Sequence, residues 1–300
     1  MSYSAAIRHL TASLVLVSML SGVAAACPFC SAVAKTFSEE IDTVDVAVFA
    51  KLTEAPKKAP EQDDNAPYDL AAPTAKAKFE VVQILKGENH VKAGSQIEVL
   101  YFGDRPVGSH FLVLGVEPPV LTWATPIETS DRAREYINLV MKLPKEGADR
   151  LAFFLTYLED KEEMLTRDAY DEFAKAPYAD VKAIKDRIDH DQLVAWLWNP
   201  QVPASRKRLY MTLLGVCGGE NDLLMLETIL KSDVREVKAG LDATIACYLT
   251  LKGPEGMPLV EEMFLKNKEA EYTDTYAAIM ALRFHGQENQ IIPKERIKLA

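Results

Sequence analysis

Two cysteines separated by two residues are the feature of this sequence best suited to chemistry. They occur as Cys27-Pro28-Phe29-Cys30. In redox enzymes a pair with this spacing makes and breaks a disulfide, and the first thiol has a lowered pKa because it lies at a helix N-terminus. No His follows Cys30, which excludes attachment of a c-type haem. The pair is therefore either a catalytic dithiol or a structural disulfide.

The residues in front of Cys27 have the features of a secretory signal. Arg8 and His9 give a weakly basic start, residues 10–23 form an apolar stretch too short to span a bilayer, and residues 24–26 are small. We expect residues 1–26 to be removed and the chain to be exported to the periplasm or the extracellular space. A glutaredoxin-like fold requires a β-strand before such a pair, and after removal of residues 1–26 no strand would precede it. We therefore predict a structural disulfide between Cys27 and Cys30.

Lipidation of Cys27 is the alternative to this disulfide. Residues 23–27 resemble a bacterial lipobox, except that Ala24 stands where Leu is usual. A lipid thioether on Cys27 would prevent its bond to Cys30. After residue 26 no stretch of about eighteen apolar residues occurs, so we expect no membrane span.

The composition and the absence of known motifs argue against an enzyme. The formal net charge is −10 at pH 7, and an acidic surface repels nucleic-acid phosphates, so no nucleic-acid partner is expected. The sequence has no G-x-S-x-G, H-E-x-x-H, G-x-x-x-x-G-K-[ST] or G-x-G-x-x-G motif. The histidines lack the paired spacing of metal ligands. We predict no catalytic residue, no metal and no cofactor.

The first part of the chain has strand-like hydrophobic patterns. Residues 44–50, 78–85, 96–102 and 110–116 are rich in β-branched residues and partly alternate, with turn residues between them. This pattern predicts a small antiparallel barrel or sandwich. Residues 55–77 are rich in proline and charge, which favours a long loop between strands. Residues 118–126 are interpreted as an apolar ridge against the helices or as a plain linker.

Beyond Pro126 the hydrophobic period becomes helical and stays so. The candidate helices are 129–143, 149–158, 161–174, 178–188, 190–197, 204–216, 221–231, 234–251, 256–267 and 272–285. Gly218, Gly253 and Gly286 recur at intervals of 35 and 33 residues. Helix after helix without strands, repeating at such intervals, predicts a solenoid of helix pairs.

Three apolar positions recur before each of these glycines and would form one face of each helix. They are Leu214, Leu249 and Leu282, then Met211, Ala246 and Ile279, then Tyr210, Ile245 and Ala278. We expect this face to pack against the neighbouring repeat. In the same register Cys217 and Cys247 are too far apart for a disulfide, which predicts two buried free thiols.

Two groups of residues are candidates for a protein interface. Trp196 and Trp198 are the best aromatic anchors, with core packing as the alternative. Arg206, Lys207 and Arg208 form the densest basic cluster, which is either a solvated helix face or a docking patch for an acidic partner.

Two family resemblances follow from these patterns. Residues 129–300 resemble HEAT-type repeats, as in Asn199-Pro200 and the helix after it, which implies an α-solenoid that binds proteins. Residues 27–128 resemble a netrin-like or TIMP-like OB barrel in Cys27, Cys30 and residues 44–51, 79–87 and 94–99. The cysteines differ from that family's Cys-x-Cys spacing. The TIMP resemblance implies a protease inhibitor whose Cys27 amine and carbonyl chelate zinc.

The sequence therefore predicts an α+β protein of two domains after the signal peptide: a small antiparallel OB-like barrel at 27–128 and an α-solenoid of HEAT-like helix pairs at 129–300. The predicted function is a non-catalytic, exported scaffold that binds another protein. Two alternatives remain, an envelope thiol–disulfide oxidoreductase acting through Cys27 and Cys30, and a protease inhibitor acting through Cys27.

Overall fold

The computed structural model describes residues 29–30, 34–56 and 75–300. It is an α+β protein with a nearly closed, antiparallel, barrel-like sheet and a helical region. Its residues form two compact units. The sheet unit is the described part of Val33–Lys145 together with Thr156–Asp171, and the helical unit is Phe29 and Cys30 with Glu146–Leu155 and Glu172–Ala300.

The described strands are β1 Val46–Glu54, β2 Lys76–Lys86, β3 Gln96–Leu100, β4 His110–Val116, β5 Thr122–Trp123 and β6 Ile127–Glu128. The described α-helices are α1 Phe37–Thr43, α2 Asp131–Val140, α3 Ala148–Leu155, α4 Glu163–Lys175, α5 Tyr178–Ala183, α6 His190–Trp198, α7 Ala204–Cys217, α8 Leu223–Leu230, α9 Leu241–Lys252, α10 Met257–Val260, α11 Tyr272–Phe284 and α12 Lys294–Lys298. Short 3-10 turns lie at Lys185–Arg187, Glu220–Asp222 and Gly253–Gly256, and π-helical turns at Glu261–Leu265 and His285–Asn289.

The sheet has the strand order β3-β2-β1-β4-β5, and every pairing is antiparallel. β6 pairs with β4 beside this path. All four strand segments expected from the pattern are present. Residues 118–126 are not a plain linker, because β5 lies in this segment and pairs with β4. The apolar ridge against the helices stays a prediction.

The barrel core is built on three aromatic rings. Phe79, Tyr101 and Phe111 meet edge to face, with centroids 5.3 to 5.9 Å apart. Apolar side chains of β1, β2 and β4 surround them. Edge-to-face contact is the favoured geometry for aromatic pairs, so these rings stabilise the packing of β2, β4 and the residue that follows β3.

A buried carboxylate joins three helices of the sheet unit. Asp168 of α4 accepts hydrogen bonds from the Phe37 backbone N–H and from the Tyr136 hydroxyl, each at 2.7 Å. Thr36 caps α1 and forms a capping box with Glu39. Backbone N–H groups at the N-terminus of α1 therefore have acceptors both in the capping residue and in a distant helix.

In the helical unit α9 packs between α7 and α11. Gly218 and Gly253 are the C-caps of α7 and α9, while the C-cap of α11 is His285, one residue before Gly286. Eight of the nine recurring apolar side chains are buried. The exception is Ile279, which is 51% exposed because no described helix covers that face of α11. The expectation that it packs against a neighbour was wrong.

The helix predicted to start at residue 234 begins instead at Leu241. Gly240 precedes it with φ +82°, a conformation that favours glycine and cannot continue a helix. A Cβ at Gly240 would lie 3.1 Å from Arg208 Cγ, so the residue also allows a close approach to α7. Val234 and Val237 are exposed, and no apolar face forms there to be buried.

Within the described residues, no helix has both the length and the apolar character needed to cross a bilayer.

Candidate protein-binding groove

The N-terminal ends of α7, α9 and α11 line one cleft of about 480 Å³. Ala204, Gly240 and Tyr272 mark these three ends. Their neighbours in the cleft include charged side chains and a second tyrosine, Tyr276. We refer to this cleft as the helix-end groove.

Two ion pairs connect neighbouring elements across the groove. Arg208 Nε on α7 lies 2.9 Å from Asp242 Oδ1 on α9, and Lys238 Nζ lies 3.3 Å from Asp274 Oδ2 on α11. Asp242 and Asp274 are in the first turns of their helices, where the helix dipole also favours a negative charge. The four side chains are between 19% and 35% exposed, so these pairs are less screened than surface pairs. They connect α7 to α9, and the turn before α9 to α11.

A third pair lies at the rim of the groove. Arg235 Nη1 is 2.7 Å from Glu271 Oε2, but both side chains are more than half exposed. Such a pair contributes little to stability because water and salt screen it. Arg235 and Glu271 instead make the rim of the groove polar, and their exposed charges can exchange partners.

Exposed apolar and aromatic side chains run along α11 beside the groove. Tyr272 is 81% exposed, Tyr276 52% and Ile279 51%. The two tyrosine rings stack at 6.3 Å with an interplanar angle of 22°. The small residues of α11 are on its buried side: Ala277, Ala278 and Ala281. We call Tyr272, Tyr276 and Ile279 the α11 stripe.

The predicted interface residues are divided by the structure. Of these five residues, Arg208 alone lines the groove, and its guanidinium forms an ion pair with Asp242. Trp196 is half-buried with its ring 5.1 Å from that of Tyr210, whereas Trp198 is 54% exposed. Arg206 and Lys207 are half-buried on α7. Neither tryptophan lines the groove.

The expected disulfide cannot be placed, because Cys27 lies outside the described residues. Phe29, inside the same motif, is buried. Its ring meets that of Phe284 edge to face with centroids 5.1 Å apart, and both rings line a small cavity with Tyr178 and Cys247. The residue between the cysteines therefore packs in the helical unit. The bond itself stays a prediction.

Cys217 and Cys247 are free thiols, as the repeat register predicted. Burial raises the pKa of Cys217 to about 11 and that of Cys247 well above its usual value. Both are protonated near neutral pH, and a protonated thiol is a poor nucleophile. Cys247 is buried and Cys217 is half-buried, so they act as small core side chains.

His190 and His285 occupy opposite environments. His190 Nδ1 lies 3.2 Å from Asp191 and Nε2 2.9 Å from Asp222, and these hydrogen bonds raise its pKa. His285 is fully buried; its Nε2 donates to the Ala246 carbonyl at 3.1 Å, and burial lowers its pKa to about 4. In the described part of the chain, no three His, Cys, Asp or Glu side chains are grouped closely enough to hold a metal ion.

The sequence reasoning missed the α11 stripe. Its signal was present, because residues 272, 276 and 279 recur at helical spacing opposite a face of alanines. Ile279 was assigned to the packed face because it matched Met211 and Ala246 in the other repeats. The alignment identified equivalent positions, but it could not show that the third one has no neighbour.

The chain matches no protein-family model, no curated protein and no solved structure. What the geometry defines is a class: an α+β protein with a nearly closed antiparallel barrel-like sheet and a helical region.

Proposed function

We propose that this protein is an exported, non-catalytic scaffold that binds another protein through the helix-end groove and the α11 stripe. The observation that carries the proposal is the exposure of two stacked tyrosines and an isoleucine on one helix face. Tyrosines at the centre of a surface surrounded by polar groups are typical of binding hot spots. The proposed partner is a protein that covers this stripe and contacts the charged rim.

The finer architecture belongs to the same proposal. Side-by-side helices α7, α9 and α11, with glycine caps on two of them, support a HEAT-like solenoid. The five-strand path of the sheet supports an OB-like barrel, which is a partly open barrel of five strands. The proposal also includes residues 1–26 as a signal peptide and a mature chain in the periplasm or outside the cell, with a lipid on Cys27 as the alternative to the disulfide.

The two other functions rest on a residue that lies outside the described part of the chain. A thiol–disulfide oxidoreductase would need Cys27 and Cys30, and a TIMP-like inhibitor would need the free amine of Cys27. No described geometry favours either of them over the scaffold. The described thiols Cys217 and Cys247 do not offer an alternative nucleophile, because burial raises their pKa values.

The test of the proposal begins with a photo-cross-linking amino acid at position 276 in the producing cells. We expect one partner protein to be captured at this position and not from the same group at Glu255, an exposed residue of the same unit. The purified partner is then titrated against the wild type and against the double variant Tyr272→Ala, Tyr276→Ala. Loss of hot-spot contacts worth about 2 kcal/mol should weaken binding about 30-fold.

The matched control is Leu224→Ala, which removes an apolar side chain that is 77% exposed elsewhere in the helical unit. Its affinity for the partner should equal that of the wild type. Equal binding by the tyrosine double variant, or equal capture from position 255, would contradict the proposed function.

A further inference from the structure

The barrel-like sheet is open between its first and last strands. β3 pairs only with β2 and β5 only with β4 among the described residues. Residues of both end strands, Gln96 and Ile97 on one side and Trp123 on the other, line a single cleft of about 480 Å³. We call it the β3–β5 cleft.

The hydrogen-bond register shows which backbone groups of β3 face the cleft. Tyr101 N–H donates to the Ala75 carbonyl and Val81 N–H to the Ser95 carbonyl, each at 2.9 Å. In an antiparallel ladder the bonded residues alternate, so Val99 and Ile97 also bond to β2. The N–H and C=O groups of Gln96, Glu98 and Leu100 therefore point away from β2 towards the open side.

The same reasoning applies to β5. Ala124 N–H donates to the Leu114 carbonyl at 2.9 Å, so residues 124 and 122 bond to β4 and Trp123 does not. The backbone groups of Trp123 therefore point to the cleft from the opposite side. Outward-pointing backbone groups on an edge strand are a template for pairing with another strand.

Strand direction determines what can pair there. The path β3-β2-β1-β4-β5 contains five strands, each antiparallel to the next, so β3 and β5 run in the same direction. A strand inserted between them in the opposite direction would be antiparallel to both. Such a strand would continue the alternation around the whole barrel.

The side chains at the cleft determine the composition of the inserted strand. Ile97, Leu121 and Trp123 are partly buried and pack against the barrel core. Alternate side chains of an added strand would meet this apolar surface, and the others would face Gln96 and Glu98. A basic residue opposite Glu98 would form a favourable cross-strand pair.

We propose that the β3–β5 cleft binds an extended peptide segment of a partner protein by strand addition, in the direction antiparallel to β3. The segment alternates apolar and polar residues and includes a basic one. Main-chain hydrogen bonds supply affinity, and the apolar side of the cleft supplies selectivity. This site lies in the sheet unit, so it does not depend on whether the helix-end groove binds a partner.

The probe is a blocked seven-residue peptide, lysine-valine-threonine-valine-lysine-valine-threonine, added to the full-length protein. Amide hydrogen exchange is followed residue by residue. We expect the amides of Gln96, Glu98 and Leu100 to exchange at least about tenfold more slowly with the peptide than without it. The same peptide with proline replacing its central valine should give no such protection, because proline has no N–H to donate.

A pair of variants at one position isolates the backbone donor. Glu98→Pro removes the outward N–H, and because this N–H does not bond to β2, the edge strand tolerates proline there. Glu98→Ala removes only the side chain. We expect Glu98→Pro to lose about tenfold or more in peptide affinity and Glu98→Ala to keep most of it.

Several results would overturn the proposal. Equal peptide binding by the proline and alanine variants would show that the outward N–H is not used. Unchanged exchange at the three wild-type amides would exclude strand addition even if Glu98→Pro fails to fold. Protection of the same amides that depends on protein concentration, with no peptide present, would identify a second copy of this chain as the occupant. The tyrosine double variant of the helical unit should bind the peptide like the wild type.

Discussion

At the scale of single residues, His285 is a histidine whose buried position disfavours the protonated form of its ring. His285 is fully buried, and its Nδ1 has no hydrogen-bond partner within the described part of the chain. Burial lowers its pKa to about 4 from 6.5. The folded state therefore holds the neutral imidazole, whereas the unfolded state takes up a proton below about pH 6.5.

This difference predicts how stability changes with pH. Between about pH 6.5 and pH 4 the unfolded chain binds more protons at this site than the folded one, so stability falls as the pH falls. The contribution present above pH 6.5 and lost towards pH 4 is at most about 3 kcal/mol. Urea unfolding of wild type and His285→Gln at about pH 7 and about pH 4.5 measures it.

His285→Gln keeps an N–H donor for the Ala246 carbonyl but does not titrate in this range. We expect its free energy of unfolding to fall less than that of the wild type over the same interval. His90→Gln, which replaces an exposed histidine, is the matched control for the substitution itself. A variant slope equal to that of the wild type would remove His285 as the cause.

At the scale of elements, the sequence predicted well which segments are strands or helices, but it predicted poorly which elements pack against each other. The four main strands were visible as alternating or β-branched runs, and α6 and α7 were placed within one or two residues. β5 was missed because two residues do not make a periodic pattern. The start of α9 was missed because Gly240 breaks the helix through its backbone conformation, which a hydrophobic pattern does not contain.

The candidate sites were predicted less completely, for the same physical reason. Trp198 is exposed and Arg208 lines the helix-end groove, but the tyrosines of α11 and the open edge of β3 were not foreseen. Exposure depends on which elements pack against each other. A periodic pattern shows that a helix has two faces, and it does not show whether both are covered.

One element contact makes a testable prediction of stability. Asp168 on α4 accepts from the Phe37 N–H and the Tyr136 hydroxyl, so Asp168→Ala removes the acceptor of two buried hydrogen bonds. We expect a loss of about 2 to 4 kcal/mol in the free energy of unfolding, and a smaller loss for Asp168→Asn, which retains one acceptor oxygen. Urea denaturation provides the measurement.

Asp104→Ala, which removes an exposed carboxylate from the same unit, is the control and should change stability by less than about 0.5 kcal/mol. If Asp168→Ala proved as mild as Asp104→Ala, the carboxylate would not be what secures α1 and α2 to α4.

At the scale of the whole molecule, the two compact units are not consecutive in sequence. The sheet unit includes Thr156–Asp171, and the helical unit includes Glu146–Leu155. A fragment of residues 34–128 would contain every described strand but would lack Tyr136, Asn138 and Asp168. These residues contact Phe37 and Gln83, which the fragment would retain.

We therefore expect residues 34–128 to give no cooperative thermal transition, whereas residues 34–171 should unfold cooperatively. Circular dichroism during heating, together with the dispersion of amide signals in NMR spectra, distinguishes the two fragments. A cooperative transition in the shorter one would show that the sheet is self-sufficient without α2 and α4.

The alternation of the chain between the units also limits how either unit could be transferred to another protein. The polypeptide passes from one unit to the other between residues 30 and 34, and again at residues 145–146, 155–156 and 171–172. A single recombination point cannot transplant either unit intact into another gene. Transfer of one unit to another protein would therefore have to bring several separate segments together, because neither unit is encoded by one continuous stretch.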